Sequence, residues 1–352
     1  MNTIPKLRIK NFELPYCIIQ GGMGAGVSRP KLTREVFRCG GLGVLSSAGL
    51  RDIKSLEMKK RYSTYDAVRE EIETAMADNY QVGLNIMRVL DESYDDTVRA
   101  AIDAKASAVF LGAGVPKIIA DSGDTAQVLI TSSARFLKII LHRWKHRPDA
   151  VVLEGPRAGG HLGFSMEEIV KPEFSLENLL PEVLEVASKN GNFPVIVAGG
   201  IFTHSDILKF LNMGASGVQM GTRFLATKES GATDEFKRQI ISSTEKDILV
   251  VNASPCGFPF RILTTSPMYQ TRRQPKCRMG YVLAKDAEGK YTVCKAAPNN
   301  PENENFLCIC DGLRSAVGLA PDEPPLYTVG SNAYRVDRIM PVAELIKELI
   351  EG

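Results

Sequence analysis

Residues 194–224 read PVIVAGGIFTHSDILKFLNMGASGVQMGTRF. A short apolar run, Val195 to Ala198, ends in Gly199-Gly200. A helical pattern follows over residues 205–213, with Thr203 ahead of it as a capping residue. A second apolar run, residues 217–220, ends in Gly221-Thr222. Strand, glycine turn, helix, strand, glycine turn is a parallel βαβ unit whose strands are buried on both faces.

The same rhythm extends back through the chain. Apolar, β-branched runs occur at residues 14–20, 42–46, 81–86, 106–111, 127–131 and 150–153, which with the first two makes eight strands. Helical patterns at 30–39, 65–78, 93–104, 133–146 and 176–189 fit between most of them, and Ser28 stands ahead of Pro30 as a further capping residue. Eight alternations over some 220 residues predict an α/β fold, a (β/α)8 TIM barrel. A doubly wound open sheet has the same periodicity. The glycines favour the barrel. They cluster just after strand ends, at 21–24, 112–114, 155, 159–160, 199–200 and 221, and a barrel brings all those points to one mouth. Residues 233–330 are Pro- and Asn-rich, carry five of the seven cysteines and lack the rhythm. The expected division is therefore a barrel over 1–232, a cysteine-bearing lid or substrate segment over 233–330, and a terminal segment over 331–352 whose amphipathic helix packs back on the barrel.

Composition excludes several classes. With 43 Lys+Arg against 41 Asp+Glu the formal charge is +2, far from the basic footprint of a nucleic-acid binder. Hydrophobic residues at 44% and charged residues at 24% give an ordinary globular balance, which excludes disorder as the overall state. No run approaches the length of a membrane span, and the first residues lack a secretory apolar core. Seven cysteines without a secretory leader point to a reducing, cytoplasmic setting rather than a disulfide framework.

Two constellations carry chemistry. The turns Gly199-Gly200 and Gly221-Thr222 follow the seventh and eighth strands, where barrels hold phosphate groups, and glycine lets backbone N–H groups approach an anion closely. The bland alternative is that these glycines only permit tight turns. The second stretch is EGPRAGGHLG, residues 154–163, after the sixth strand. His161 lies there among glycines at the mouth and suits proton transfer. His142, His146 and His204, on or beside helices, read as structural.

In order along the chain, GGMGAGVS, GLGVLSSAG, GLNI, GAGVP, TSSA, EGPRAGGHLG and AGGIF…GASGVQMGTRF resemble the nitronate monooxygenase superfamily. That superfamily includes 2-nitropropane dioxygenases and flavin-dependent type II enoyl-acyl-carrier-protein reductases. The resemblance implies a barrel that binds FMN, with Gly22 and Met23 against the flavin ring and Asn85 and Ser132 contacting it. It places Gly159, Gly160, Gly200, Gly221 and Thr222 around the phosphate. Glu154, Gly199 and Gln219 join them as cofactor neighbours. His161 falls on the family's catalytic histidine.

The run CICDGL at 308–313 and TVGSNAYRVD at 328–337 is similar to a smaller branch, the acyl-carrier-protein dehydrogenase/isomerases, which also carry a [4Fe–4S] cluster. Cys277, Cys294, Cys308 and Cys310 are the four thiols such a cluster would need. Reduced thiols in a loop-rich lid and a structural zinc are the other readings. Cys17 and Cys39 read as core residues, and Cys256 as part of a lid turn. Arg135, Lys138, Arg143, Lys145 and Arg147 make the 133–146 helix and its end basic, either a solvated face or a dock for an acidic carrier protein.

The expected activity is FMN-dependent redox at Cα–Cβ of an acyl thioester, as enoyl reduction or acyl dehydrogenation/isomerisation in fatty acid metabolism. The alternative is oxidation of alkyl nitronates with O2. NAD(P)H or O2 would be the redox partner, and a homodimer is the expected assembly. A non-catalytic phosphate-binding barrel is the third reading, and it gives His161 no task.

Overall fold

A computed structural model describes residues 3–144, 146–252, 258–271, 281–285, 291–295 and 309–352. The chain opens with a hairpin, β1 (Leu7–Ile9) and β2 (Phe12–Leu14). Then come β3 (Ile18–Gln20), α1 (Pro30–Arg38), β4 (Leu42–Ser46), α2 (Leu50–Glu57), α3 (Thr64–Met76), β5 (Val82–Met87), α4 (Asp91–Asp103) and β6 (Ala108–Gly112). The next elements are β7 (Ala126–Thr131), α5 (Ala134–Trp144), β8 (Ala150–Glu154), the two-residue β9 (Gly160–His161), α6 (Leu176–Lys189), β10 (Val195–Ala198), α7 (His204–Asn212), β11 (Gly217–Met220) and α8 (Thr222–Leu225).

Strands β3 to β8, β10 and β11 form a closed parallel barrel. Closure comes where β11 pairs with β3, Val218 opposite Ile18 and Met220 opposite Gln20. Every residue of β4, β6, β10 and β11 is buried, which is why these strands read as unbroken apolar runs. The β1–β2 hairpin closes the opposite end. Leu7 reaches the start of β11, and the Lys10 ammonium donates to the carbonyls of Gly123 and Thr125 just before β7.

After the barrel come α9 (Asp234–Ser242), β12 (Ile248–Val251), β13 (Phe260–Leu263), α10 (Pro267–Thr271), the β14 (Tyr281–Lys285) and β15 (Tyr291–Lys295) hairpin, α11 (Ile309–Ala316) and α12 (Val342–Glu351). Helix α12 buries Val342, Leu345, Ile346 and Leu349 in the barrel's core cluster, roughly 1.5–3 kcal/mol for each side chain. His204 Nδ1 lies 2.9 Å from the Leu349 carbonyl, which fits the structural reading of that histidine.

Three local readings change. The expected strand at 14–20 is broken by Pro15, which has no N–H to give a ladder, into β2 and β3. Ser28 is no helix cap: α1 is capped at Arg29, and the Ser28 hydroxyl instead accepts from Met23 N–H at 2.9 Å and from the Gln20 amide at 2.8 Å. Helix α2 was absent from the sequence reading. Thr203, by contrast, caps α7 in a reciprocal capping box with Asp206.

Candidate active site

The barrel brings the ends of its strands to one mouth, and the residues singled out in the sequence gather there. Gly22 and Met23 follow β3. Gly22 packs so tightly that a Cβ would lie 2.6 Å from that of Asn85 on β5. Ser132, after β7, lies beside Gly163, where a Cβ would come within 3.1 Å of the serine's own. Gln219 is buried near the end of β11, with its side chain against Gly21. Neither the Asn85 amide nor the Glu154 carboxyl has a hydrogen-bonding partner among the described residues.

Three glycine turns, at 159–160, 199–200 and 221–222, follow β8, β10 and β11 at this mouth. Gly199 and Gly200 have φ of 93° and 88°, and Gly160 has φ of 72°, backbone that favours glycine. Where a Cβ would sit on Gly160 nothing lies within 4 Å, and at Gly221 the nearest atom is Met23 Sδ at 3.8 Å. The backbone is therefore open to a ligand at both positions. The N–H groups of Gly200 and Gly221 have no partner among the described residues. A phosphate group fits this donor set.

Glu154 ends β8 and His161 lies in β9, seven residues on. Both lie deep in the protein while keeping part of their surface accessible. Burial pushes the Glu154 carboxyl up to about 7 and the His161 imidazole down to about 4. At neutral pH the imidazole is uncharged and able to accept a proton. The carboxyl on the same loop still carries one for part of the time. Phe258 and Phe260 flank the imidazole at ring separations of 6.5 and 6.0 Å.

Sequence reasoning missed two contributors to this mouth. The first is β13, which pairs antiparallel with β9, Phe260 opposite His161 and Arg261 opposite Gly160. Arg261 is buried, and its guanidinium donates to the carbonyls of Ala158 and Pro156 (2.8 Å for the latter), pinning the loop that carries His161. Burial and the nearby Arg157 lower its pKa to about 10, so it remains a cation at neutral pH. The second is the segment at 329–332, which lies over the glycine turns. In the sequence it shows only as the TVGSN motif. Tyr334, just beyond, is exposed.

Cys17 is buried in the barrel core, where burial pushes its thiol up to about 12, and Cys39 is partly buried at the end of α1. Cys277 and Cys308 lie outside the described residues, as does Cys256. The backbone of Cys294 pairs with Val282 in the β14–β15 hairpin, and Cys310 is exposed in the first turn of α11. Among the described residues no group of three or more His, Cys, Asp or Glu is placed to hold a metal ion. The [4Fe–4S] expectation rests on thiols that are not all among them.

A barrel whose mouth joins open glycine turns to an uncharged histidine suits an enzyme that binds a phosphate-bearing ligand and moves a proton. The family model for nitronate monooxygenase matches residues 6–352, so the chain belongs to that family and is a flavin-dependent oxidoreductase of its superfamily. It is 29% identical over 266 residues to a probable nitronate monooxygenase of Staphylococcus aureus, covering 68% of this chain and 73% of the relative. Among solved structures it is similar to FabK from Thermotoga maritima, at 26% identity and a TM-score of 0.71, covering 96% of this chain and 92% of that one. A nitroalkane oxidase from Streptomyces ansochromogenes shares the fold at 22% identity and a TM-score of 0.67, covering 96% and 95%. No helix among the described residues is long and apolar enough to cross a membrane.

Proposed function

We propose that the protein is an FMN-dependent oxidoreductase acting on a carbon acid, with His161 moving the proton at Cα and the three glycine turns holding the cofactor phosphate. The observation that carries this reading is the meeting of those turns and His161 at one barrel mouth. FMN supplies the two-electron redox step when bound. Gly159, Gly160, Gly199, Gly200, Gly221 and Thr222 hold the phosphate. Gly22, Met23, Asn85, Ser132, Glu154 and Gln219 line the remainder of the cofactor's site. His161, uncharged above about pH 4, accepts the proton from Cα or returns it. The phenylalanines beside it cover part of the imidazole.

For the substrate, an acyl thioester on a carrier protein is favoured by the outer face of α5. Arg135, Lys138 and Arg143 are exposed there, with the Lys138 charge close enough to Glu185 to help lower its carboxyl's pKa. An acidic carrier would complement that face. A second reading, oxidation of alkyl nitronates with O2, is favoured by the family model and the staphylococcal relatives. Anaerobic mixing separates the two. Bleaching of the flavin by a saturated acyl-carrier-protein substrate or by NAD(P)H, with none by a nitronate, supports the first, and bleaching by a nitronate alone supports the second. A flavin that neither bleaches, and that NAD(P)H also leaves oxidised, contradicts both.

A further inference from the structure

Residues 330–332 make one hydrogen bond to each of the three glycine turns or the loop that carries it. The Gly330 N–H donates to Thr222 Oγ1 at 2.8 Å, in the turn after β11. The Ser331 N–H donates to the Arg157 carbonyl at 3.1 Å, in the loop after β8. The Asn332 side-chain amide donates to the Gly200 carbonyl at 2.7 Å, in the turn after β10. The segment is itself held from behind. Tyr327 accepts from Leu263 N–H at 2.8 Å, and Val329 donates to the Arg261 carbonyl at 3.3 Å. Its approach is close: a Cβ on Gly159 would lie 2.7 Å from Gly330 N and from the Val329 carbonyl carbon.

These bonds bear on anion binding. A hydroxyl has a single hydrogen to donate. By accepting from Gly330, Thr222 Oγ1 leaves that hydrogen free to point at an anion. By holding the Gly200 carbonyl, Asn332 fixes the orientation of a turn whose two residues both have positive φ. Barrel strands set where each turn begins; the Gly155 N–H to Ala198 carbonyl bond, at 2.9 Å, links the first two, and the segment at 329–332 is what reaches all three.

We propose that residues 329–332 are a strap that sets the three turns as one phosphate cradle, with Asn332 and Gly330 as its positioning residues. The proposal rests on the reading that the cofactor phosphate sits at these turns. Its consequence is selective: the strap governs affinity for the phosphate end of the flavin and leaves the ring's contacts at Gly22 and Asn85 alone.

The test compares FMN with riboflavin, which lacks the phosphate, by fluorescence titration of the full chain after flavin removal. Asn332→Ala loses one hydrogen bond to the cradle. It should weaken FMN binding on the order of two- to tenfold, with riboflavin unchanged, so the preference for FMN falls by the same factor. Gly330→Ala is the second variant, for the case where Asn332→Ala does not fold. Its Cβ would stand 3.1 Å from Thr222 Oγ1 and crowd the hydroxyl, with the same selective loss expected. Equal weakening of both flavins, or no change in either, overturns the strap while leaving the cofactor reading standing. A wild-type protein that binds riboflavin as tightly as FMN, or binds neither, overturns both.

Discussion

His161 and Glu154 share a loop and are pushed in opposite directions by one cause. Burial opposes charge, so the imidazole stays neutral down to about pH 4 and the carboxyl stays protonated up to about pH 7. For His161 this fixes the functional prediction. His161→Ala should keep the flavin and the fold and lose a factor on the order of 10²–10⁴ in turnover. The acid limb of the rate profile, near pH 4 in the wild type, should vanish with it. Wild-type turnover with an unchanged pH profile would make the residue structural. For Glu154 the consequence is stability. Its folded-state pKa is raised, so the stability it contributes is fully present below about pH 4.5. That contribution is lost as pH rises through about 7. Melting temperatures of the flavin-free protein should therefore shift in favour of Glu154→Gln between pH 5 and pH 8. A difference that stays flat across that range would mean a solvated carboxyl.

Among the elements, legibility followed locality. Strands β4, β6, β8, β10 and β11 announced themselves because burial on both faces leaves an unbroken apolar run. The glycine turns were legible because each follows its strand directly. Pairing between distant segments leaves no such periodicity. Nothing in the local sequence of β13 says that Phe260 will lie opposite His161, or that Arg261 will pin the Pro156 and Ala158 carbonyls. The strap was visible as a motif and silent about its partners. Ser28 shows the same limit at short range: a serine two residues before Pro30 has the makings of a helix cap, yet its hydroxyl serves Gln20 and Met23. One element carries a prediction of its own. Gly200→Asp would bring a carboxylate to the cradle, and its Cβ would meet that of Arg157 at 2.9 Å in a backbone of positive φ. Flavin content should collapse while circular dichroism still reports the barrel. Normal flavin occupancy would remove that turn from the phosphate site.

At the scale of the whole molecule, the closed barrel fixes the mouth, and the later part of the chain finishes it. Strand β13 braces the His161 loop, the strap ties the glycine turns, and α12 seals α1 and α7 with four buried aliphatic side chains. The central claim is that this mouth is built for a flavin with a single terminal phosphate. One cradle sits at adjacent turns, and the chain has no glycine fingerprint of the kind that grips a dinucleotide's pyrophosphate after a strand. Mass spectrometry of the cofactor released from the purified protein tests that claim most directly. The account predicts FMN, at about one per chain. An adenine-containing flavin, or no flavin at all, would contradict it.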